Sequence, residues 1–248
     1  MLNIKLIGKN LGDIRPLLEE RGFLPDSESP ELIIAHGGDG TMLQAEREFP
    51  GIPKFPIRDE RTAPRCECHS YARQLDDLCA GRLSRTFLKK ISASINGQTL
   101  VALNDVFVHN FDRGSALRYR VRIDGELYAH EIVGDGVGLA TPHGSTAYYR
   151  SITHSIFRVG LGLAFSNSTE EVSHLVLGED SVVEVEIVRG PGLVVADNNP
   201  RQLRVEDGDV ITFRQIPETA EILGLGDFMC AKCRALRHPN KLPFKGYF

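Results

Sequence analysis

The chain opens on short apolar runs separated by polar, helix-favouring stretches. Leu2 to Ile7 reads as a strand, Asp13 to Arg21 as a helix stopped by Gly22, and Leu32 to Ala35 as a buried strand with β-branched members. Thr41 to Phe49 favours helix with Thr41 as its N-cap. Ile52 to Ile57 predicts another strand, kept short or at an edge by Pro53 and Pro56. Ser70 to Ala80 predicts a helix with Tyr71, Leu75, Leu78 and Cys79 on one face and Gly81 as its stop. Strands alternating with helices predict an α/β domain on an open, mostly parallel sheet, with ligands at the carboxyl ends of strands.

From about Phe87 the period shortens to two. Ile91 to Ile95, the turn Asn96-Gly97 and Thr99 to His109 predict one hairpin; Leu117 to Ile123, Asp124-Gly125 and Glu126 to Val133 predict a second. Ser181 to Val188, Gly192 to Ala196, Gln202 to Val205 and Val210 to Gln215 follow as strands, and Phe228 to Leu236 as a helix that folds back on the first domain. The predicted division is an α/β nucleotide-binding domain over 1–86, a β-rich domain over 87–225 and a returning segment over 226–248.

Length and composition narrow the class. The 248 residues suffice for one large or two modest domains. A formal charge of −4 without a long basic tract argues against a general nucleic-acid binder. No run approaches the roughly 20 apolar residues needed to span a bilayer. The N-terminus lacks a signal-peptide layout, so no membrane partner is expected and the cytoplasm is the expected location. Five cysteines do not suggest a disulfide framework in a chain this long. Cys66-Glu67-Cys68-His69 and Cys230-Ala231-Lys232-Cys233 could together supply four zinc ligands. The blander reading is separate reduced thiols, and no tightly bound zinc is expected of pairs so far apart.

The chemistry concentrates in glycine-rich stretches. Gly37-Gly38-Asp39-Gly40-Thr41 joins the second strand to the next helix. Its glycines are expected to reach positive φ and leave room for a ligand, while free N–H groups of the helix suit phosphate oxygens. Asp39 is the informative member, since a negative charge beside phosphates helps only if it takes a proton or faces a metal. The alternative is an Asp that merely caps the helix. Further on, Leu103-Asn104-Asp105-Val106 interrupts a strand-like run. Gly134-Asp135-Gly136 then reads as a turn into a short strand, Val137 to Ala140, and on to Thr141-Pro142-His143-Gly144-Ser145-Thr146-Ala147-Tyr148.

In this order and spacing, the three segments resemble the NAD kinase family, which carries Gly-Gly-Asp-Gly-Thr, then Asn followed by Glu or Asp, then Asp-Gly leading to Thr-Pro-x-Gly-Ser-Thr-Ala-Tyr. The resemblance implies an α/β domain followed by a β-rich one with the site between them, and transfer of a phosphoryl group from ATP or polyphosphate to the 2′-hydroxyl of the adenosine ribose of NAD. It implies that Gly37, Gly38, Gly40 and Thr41 hold donor phosphates and that Asp39 accepts the hydroxyl proton. Asn104 and Asp105 would then bind NAD, Asp135 would hold the nicotinamide-side ribose, and Ser145, Thr146, Ala147 and Tyr148 would line the base pockets. Mg²⁺, held largely by water and phosphate oxygens, is the expected cofactor, and a dimer or tetramer the expected assembly. His36 and His143 stay outside the site as local hydrogen-bonding residues.

Two stretches depart from the family pattern. Ile57-Arg58-Asp59-Glu60-Arg61-Thr62-Ala63-Pro64 stands where Gly-x-Asn-x-Gly-x-Leu-Gly-Phe is usual, and Tyr149 to His154 where a Ser-Ala-Gly-Gly-Pro-like turn is usual. Asp197-Asn198-Asn199 replaces a customary Asp-Gly. These departures leave open a related lipid or sugar kinase and a non-catalytic nucleotide binder.

Overall fold

Residues 2–237 are described by a computed structural model. The chain forms two compact units, the first taking residues up to Leu88 and again from Ala220, the second Lys89–Thr219. The returning segment therefore begins at Ala220, earlier than the predicted 226. Of that predicted segment, 238–248 lie outside the described residues.

The first unit follows the alternation in its sequence: β1 (Leu2–Gly8), α1 (Arg15–Glu19), β2 (Phe23–Leu24), β3 (Leu32–His36), α2 (Asp39–Glu48), β4 (Lys54–Ile57) and α3 (Tyr71–Cys79). The strands pair in parallel, β3 lying between β1 and β4, with β2 beside β1. Ile4, Leu6, Ile34, Phe55 and Ile57 face a layer containing Leu18 of α1 and Tyr71 and Leu75 of α3. Ile7, Ile33 and Ala35 face Ala45 of α2 on the other side. All five residues of β3 are buried, as a strand covered on both faces must be. The predicted helix 13–21 is broken into a 3-10 turn, Leu11–Asp13, and α1, where Pro16 occupies the first turn that tolerates a missing N–H. Ser70 caps α3 by accepting the Arg73 N–H at 3.3 Å.

The second unit is antiparallel. It comprises most of β5 (Arg85–Ile95), then β6 (Gln98–Ala102), β7 (Asp105–Asn110), β8 (Leu117–Ile123), β9 (Glu126–Ala140), α4 (Tyr148–Thr153), β10 (Leu161–Ser168), β11 (His174–Leu177), β12 (Val183–Arg189), β13 (Gly192–Ala196), β14 (Leu203–Val205) and the start of β15 (Val210–Leu223). Both predicted hairpin turns form with two consecutive positive φ values, at Asn96-Gly97 and Asp124-Gly125, the geometry that matches strand twist. One core holds Val106, Val108, Tyr119, Val137, Leu163, Val185 and Phe213 among others.

Strand β9 corrects the reading of Gly134-Asp135-Gly136 as a turn. Its first half pairs with β8, and its second half lies between β7 and β10. None of Gly134, Gly136 and Gly138 has a positive φ. A Cβ at Gly136 would strike the Val108 carbonyl, and one at Gly138 would strike Val106 and the Phe107 ring. These glycines serve close approach of neighbouring chain, which turn-based reasoning does not detect. The strand predicted over 99–109 is likewise two strands, with a bend at Leu103-Asn104.

Past Ala220 the chain is again in the first unit, where Ile222 of β15 pairs in parallel with Lys54 of β4. Two short helices follow, α5 (Leu225–Phe228) and α6 (Ala231–Arg237), in place of the single helix predicted over 228–236.

Lys54 is fully buried beneath α2, forms an ion pair with Glu46 and donates to the Phe49 carbonyl at 2.6 Å. Removing one partner strands the other charge in low dielectric. Lys54→Met is expected to lower unfolding free energy by about 3–5 kcal/mol, and adding Glu46→Leu to restore most of it. Urea unfolding followed by circular dichroism checks this; equal losses in the single and double variants would mean the pair does not govern the site.

Candidate functional site

The first unit presents Gly37 to Thr41 at the carboxyl end of β3, with Gly38, Asp39 and Gly40 exposed. Helix α2 starts two residues earlier than predicted: Gly38 is the N-cap in extended conformation, and its carbonyl accepts the N–H groups of Thr41 and Met42. Thr41 consequently lies inside the first turn rather than capping it. Asp39 becomes the first helical residue, at the positive end of the helix dipole. Neither Gly37 nor Gly38 has a positive φ, contrary to expectation. Gly37 is required sterically, since a Cβ there would collide with the Thr41 hydroxyl. The left-handed glycine is Gly8 at the end of β1, with φ 133°, where a side chain would run into the His36 carbonyl. Gly8 completes the floor of the turn, and its place after an apolar strand is the signal that could have found it.

Arg58, at the end of β4, decides the electrostatics of this turn. Its guanidinium grips both oxygens of Asp39, at 3.1 and 3.0 Å, in the bidentate geometry suited to a carboxylate. The Arg58 side chain is only 10 % exposed, whereas that of Asp39 is 56 % exposed. Behind Arg58, the Phe228 ring lies 3.7 Å from the guanidinium carbon, and the Phe228 carbonyl accepts from Nε at 3.3 Å. The carboxylate is thus anchored from the buried side and open to solvent on the other.

The unusual segment after Arg58 is fixed as well. Asp59 accepts from the Asn10 amide at 2.8 Å, and Arg61 pairs with Asp13. That contact holds the Asp13 carboxyl below the ordinary carboxylate range. His36 is buried between the Lys9 carbonyl and the Tyr71 hydroxyl, each at 2.8 Å. With Nδ1–H donating to Lys9, Nε2 accepts from Tyr71, whose oxygen accepts the Glu60 N–H at 2.9 Å. His36, the last residue of β3, is thus held on both ring nitrogens.

In the second unit Asn104, Asp105 and the segment Thr141 to Tyr148 meet. The Asp197 carboxylate, in the turn after β13, accepts the backbone N–H groups of Leu103, Asn104 and Asp105 at 2.8, 2.8 and 3.2 Å. The Asn104 carbonyl accepts from Thr141 N–H at 2.8 Å, and Gly144 packs so closely on Asn104 that a Cβ would overlap its backbone. Asn104 is therefore fixed through its main chain, leaving its half-buried side-chain amide outside that network.

Asp105 is buried; its carboxyl accepts the Tyr148 N–H, and Oδ2 has no partner among the described residues. Burial, with the Asp197 charge nearby, pushes its pKa up to about 7. Ser145 is turned inward, its hydroxyl directed at the Pro142 and Phe157 carbonyls, so it braces the turn instead of lining a pocket as expected. Thr146 and Ala147 are half-buried, and the Tyr148 ring, 40 % exposed, stands edge-on to Phe107 and His109. The rings of Phe107 and His109 stack over the glycines of β9, with His109 opposite Gly136 and Phe107 opposite Gly138. Asp135 accepts from the Asn167 amide at 2.9 Å, and its charge acts on His109.

Comparison with known proteins assigns the chain its place. No family model matches it. An NAD kinase from Nitrosospira multiformis is 30% identical over 210 residues, covering 79% of this chain and 71% of that protein. The chain belongs to the NAD kinase family. Yeast NADH kinase in complex with NADH shares the fold at TM-score 0.80 and 16% identity, over 99% of this chain and 90% of that one. An Archaeoglobus fulgidus NAD kinase in complex with ATP does so at TM-score 0.75 and 19% identity, over 95% and 99%.

Within the family frame, the roles of Arg58, Gly8 and the Phe107–His109 stack are features that motif reading passed over, and Asp197, noted there only as a departure, is the acceptor for three backbone N–H groups. Arg58 lies in the departing segment, and an arginine directly after a buried strand is the one sequence signal it offers.

The raised pKa of Asp105 makes stability depend on pH. An unfolded Asp releases its proton near 3.9, while the folded one keeps it to about 7. Between these values the folded state holds the extra proton, so this group's contribution falls as pH rises from about 4 to about 7 and is flat above. Asp105→Asn should flatten the slope and exceed wild type in Tm at pH 8 but not at pH 4. Identical pH slopes by scanning calorimetry would contradict this origin.

Proposed function

We propose that this protein transfers the terminal phosphoryl group of ATP to the 2′-hydroxyl of the adenosine ribose of NAD, producing NADP. One observation carries the chemistry: a carboxylate at the start of a helix, beside a glycine turn, held from below by an arginine and exposed above. Family membership supports this reading over a lipid or sugar kinase and over a non-catalytic binder. The ATP and NADH in the complexes of the two structural relatives support the substrate pair.

Phosphoryl transfer asks the protein chiefly to position and to neutralise charge. Backbone N–H groups at the Gly38–Thr41 turn suit donor phosphates, as helix N-termini do. Arg58 makes Asp39 a fixed, ionised acceptor rather than a strong base. That suits a reaction in which the hydroxyl gives up its proton as the bond to phosphorus forms, late enough that orientation matters more than basicity. Asp39 therefore orients the hydroxyl and receives its proton.

Asn104 and Asp105 present an amide and a carboxyl to base and ribose, Asp135 a carboxylate to the other ribose, and the Tyr148 ring a surface for base packing. A ribose hydroxyl donating to Asp105 would answer its unpartnered Oδ2. A divalent cation such as Mg²⁺ would offset donor-phosphate charge. Asp39 already has both oxygens engaged by Arg58, a donor set that suits a cation carried mainly by phosphate and water.

Asp39→Asn should lower kcat by about 10²–10⁴ with NAD affinity unchanged. Purified protein, Mg²⁺, NAD and either ATP or polyphosphate, scored for NADP, provides the assay; near-normal turnover would remove Asp39 from the reaction.

Asn104→Ala and Asp135→Ala should instead weaken NAD binding by about 1–3 kcal/mol each, read by calorimetry. Unchanged Kd in both would show that the dinucleotide binds elsewhere.

A further inference from the structure

The two cysteine clusters, too far apart in sequence to be expected at one metal, meet within the first unit. The Cys66 Sγ lies 3.3 Å from His69 Nδ1 and 3.5 Å from Cys233 Sγ, and His69 Nδ1 lies 3.3 Å from Cys233 Sγ. With Cys230 Sγ, these four donor atoms all fall within 4.8 Å of one another. Zn–S and Zn–N bonds of about 2.3 and 2.0 Å place tetrahedral ligand atoms roughly 3.5–3.8 Å apart, close to the separations seen here.

We infer that Cys66, His69, Cys230 and Cys233 bind one zinc ion that clamps α6 to the turn preceding α3.

The local backbone explains why these four and not Cys68. Residues 67–69 form a 3-10 turn, with the His69 N–H donating to the Cys66 carbonyl. Side chains three residues apart eclipse in such a turn, so Cys66 and His69 share a side and Cys68 is exposed. Pairing Cys66 with Cys68 by spacing alone is thus not what the fold uses. On the other arm, Cys230 immediately precedes α6 and Cys233 lies in its first turn, the separation of a Cys-x-x-Cys metal knuckle.

The surroundings fit a ligated ion. With Nδ1 directed at the sulfurs, His69 Nε2 is 3.5 Å from an Asp227 carboxylate oxygen, the outer partner that fixes a metal-bound imidazole. The Cys66 N–H donates to Cys233 Sγ at 3.3 Å, and the N–H groups of Lys232 and Cys233 reach Cys230 Sγ. Three thiolates and a neutral imidazole around Zn²⁺ leave a net charge of −1; the Arg65 guanidinium acts on Cys66 and Cys233, and Arg237 acts on Cys233. Binding releases the three thiol protons to solvent and oxidises nothing.

The helix also needs such a clamp. A seven-residue helix is far below the length that holds in water alone, and Cys233 is the one side chain α6 buries.

Two independent readouts test this. Untagged protein purified under reducing conditions should contain one zinc per chain. Cys66→Ser and Cys233→Ser should lose it, Cys68→Ser and Cys79→Ser should keep it, and His69→Cys should retain metal where His69→Ala does not. A cysteine variant that does not fold would leave metal content uninformative, so the wild-type protein stripped of zinc is also titrated with Co²⁺. Thiolate-to-cobalt charge transfer with the intense d–d bands of a tetrahedral site, saturating at one equivalent, is the expected result. Absence of zinc after reconstitution together with no tetrahedral cobalt spectrum, a native Cys66–Cys233 disulfide in intact mass, or loss of metal from Cys68→Ser equal to that from Cys66→Ser would each overturn the assignment.

Discussion

A guanidinium nine-tenths withdrawn from water must have its charge answered, and the grip of Arg58 on Asp39 is that answer. The contact joins the end of β4 to the first residue of α2, so it pins the glycine turn that links β3 to α2. It also requires a backing surface, which the chain provides with Phe228 from beyond Ala220. That segment also adds a strand to the sheet, with Ile222 of β15 pairing with Lys54 of β4, so it both extends the sheet and backs the guanidinium. Strand order, helix start and the returning chain are therefore coupled through one ion pair.

The second unit solves a similar problem with backbone donors. Three consecutive N–H groups, from Leu103 to Asp105, would be unsatisfied where the strand bends, and Asp197 accepts all of them. Burial, with this carboxylate as a like-charged neighbour, makes Asp105 retain its proton to about 7. On the proposed function, an Asp that keeps its proton near neutrality offers a sugar hydroxyl both a donor and an acceptor. The strain of two close carboxyls is the price of a pre-shaped bend.

Much of this was legible in the sequence where one physical rule acted alone. Alternating periods and glycine stops located β1, β3, α3 and both two-residue hairpins, because local backbone preference and burial agreed there. The motif residues Asp39, Asn104, Asp105 and Asp135 stood out because charged or amide groups interrupted apolar strands and glycine turns. Reading failed where one residue type served a different purpose. Gly134 and Gly136 looked like a turn, yet together with Gly138 they let β9 run unbroken beneath aromatic rings. Ser145 looked like a ligand-facing hydroxyl but braces its own loop. Strands β10 and β11 were passed over because a short run such as Leu161-Gly162-Leu163-Ala164 has no period to report. Arg58 and the metal-ligand cluster depend on contacts across 164–171 residues, which no local pattern encodes.

The split first unit imposes an order on synthesis. Every residue of the second unit leaves the ribosome before residue 220, so its core can assemble while the first unit still lacks the strand that flanks β4. During that interval Arg58 has neither the Phe228 ring nor the Phe228 carbonyl behind it. A nascent chain thus holds both members of the Arg58–Asp39 pair long before the ring that backs the guanidinium has been made.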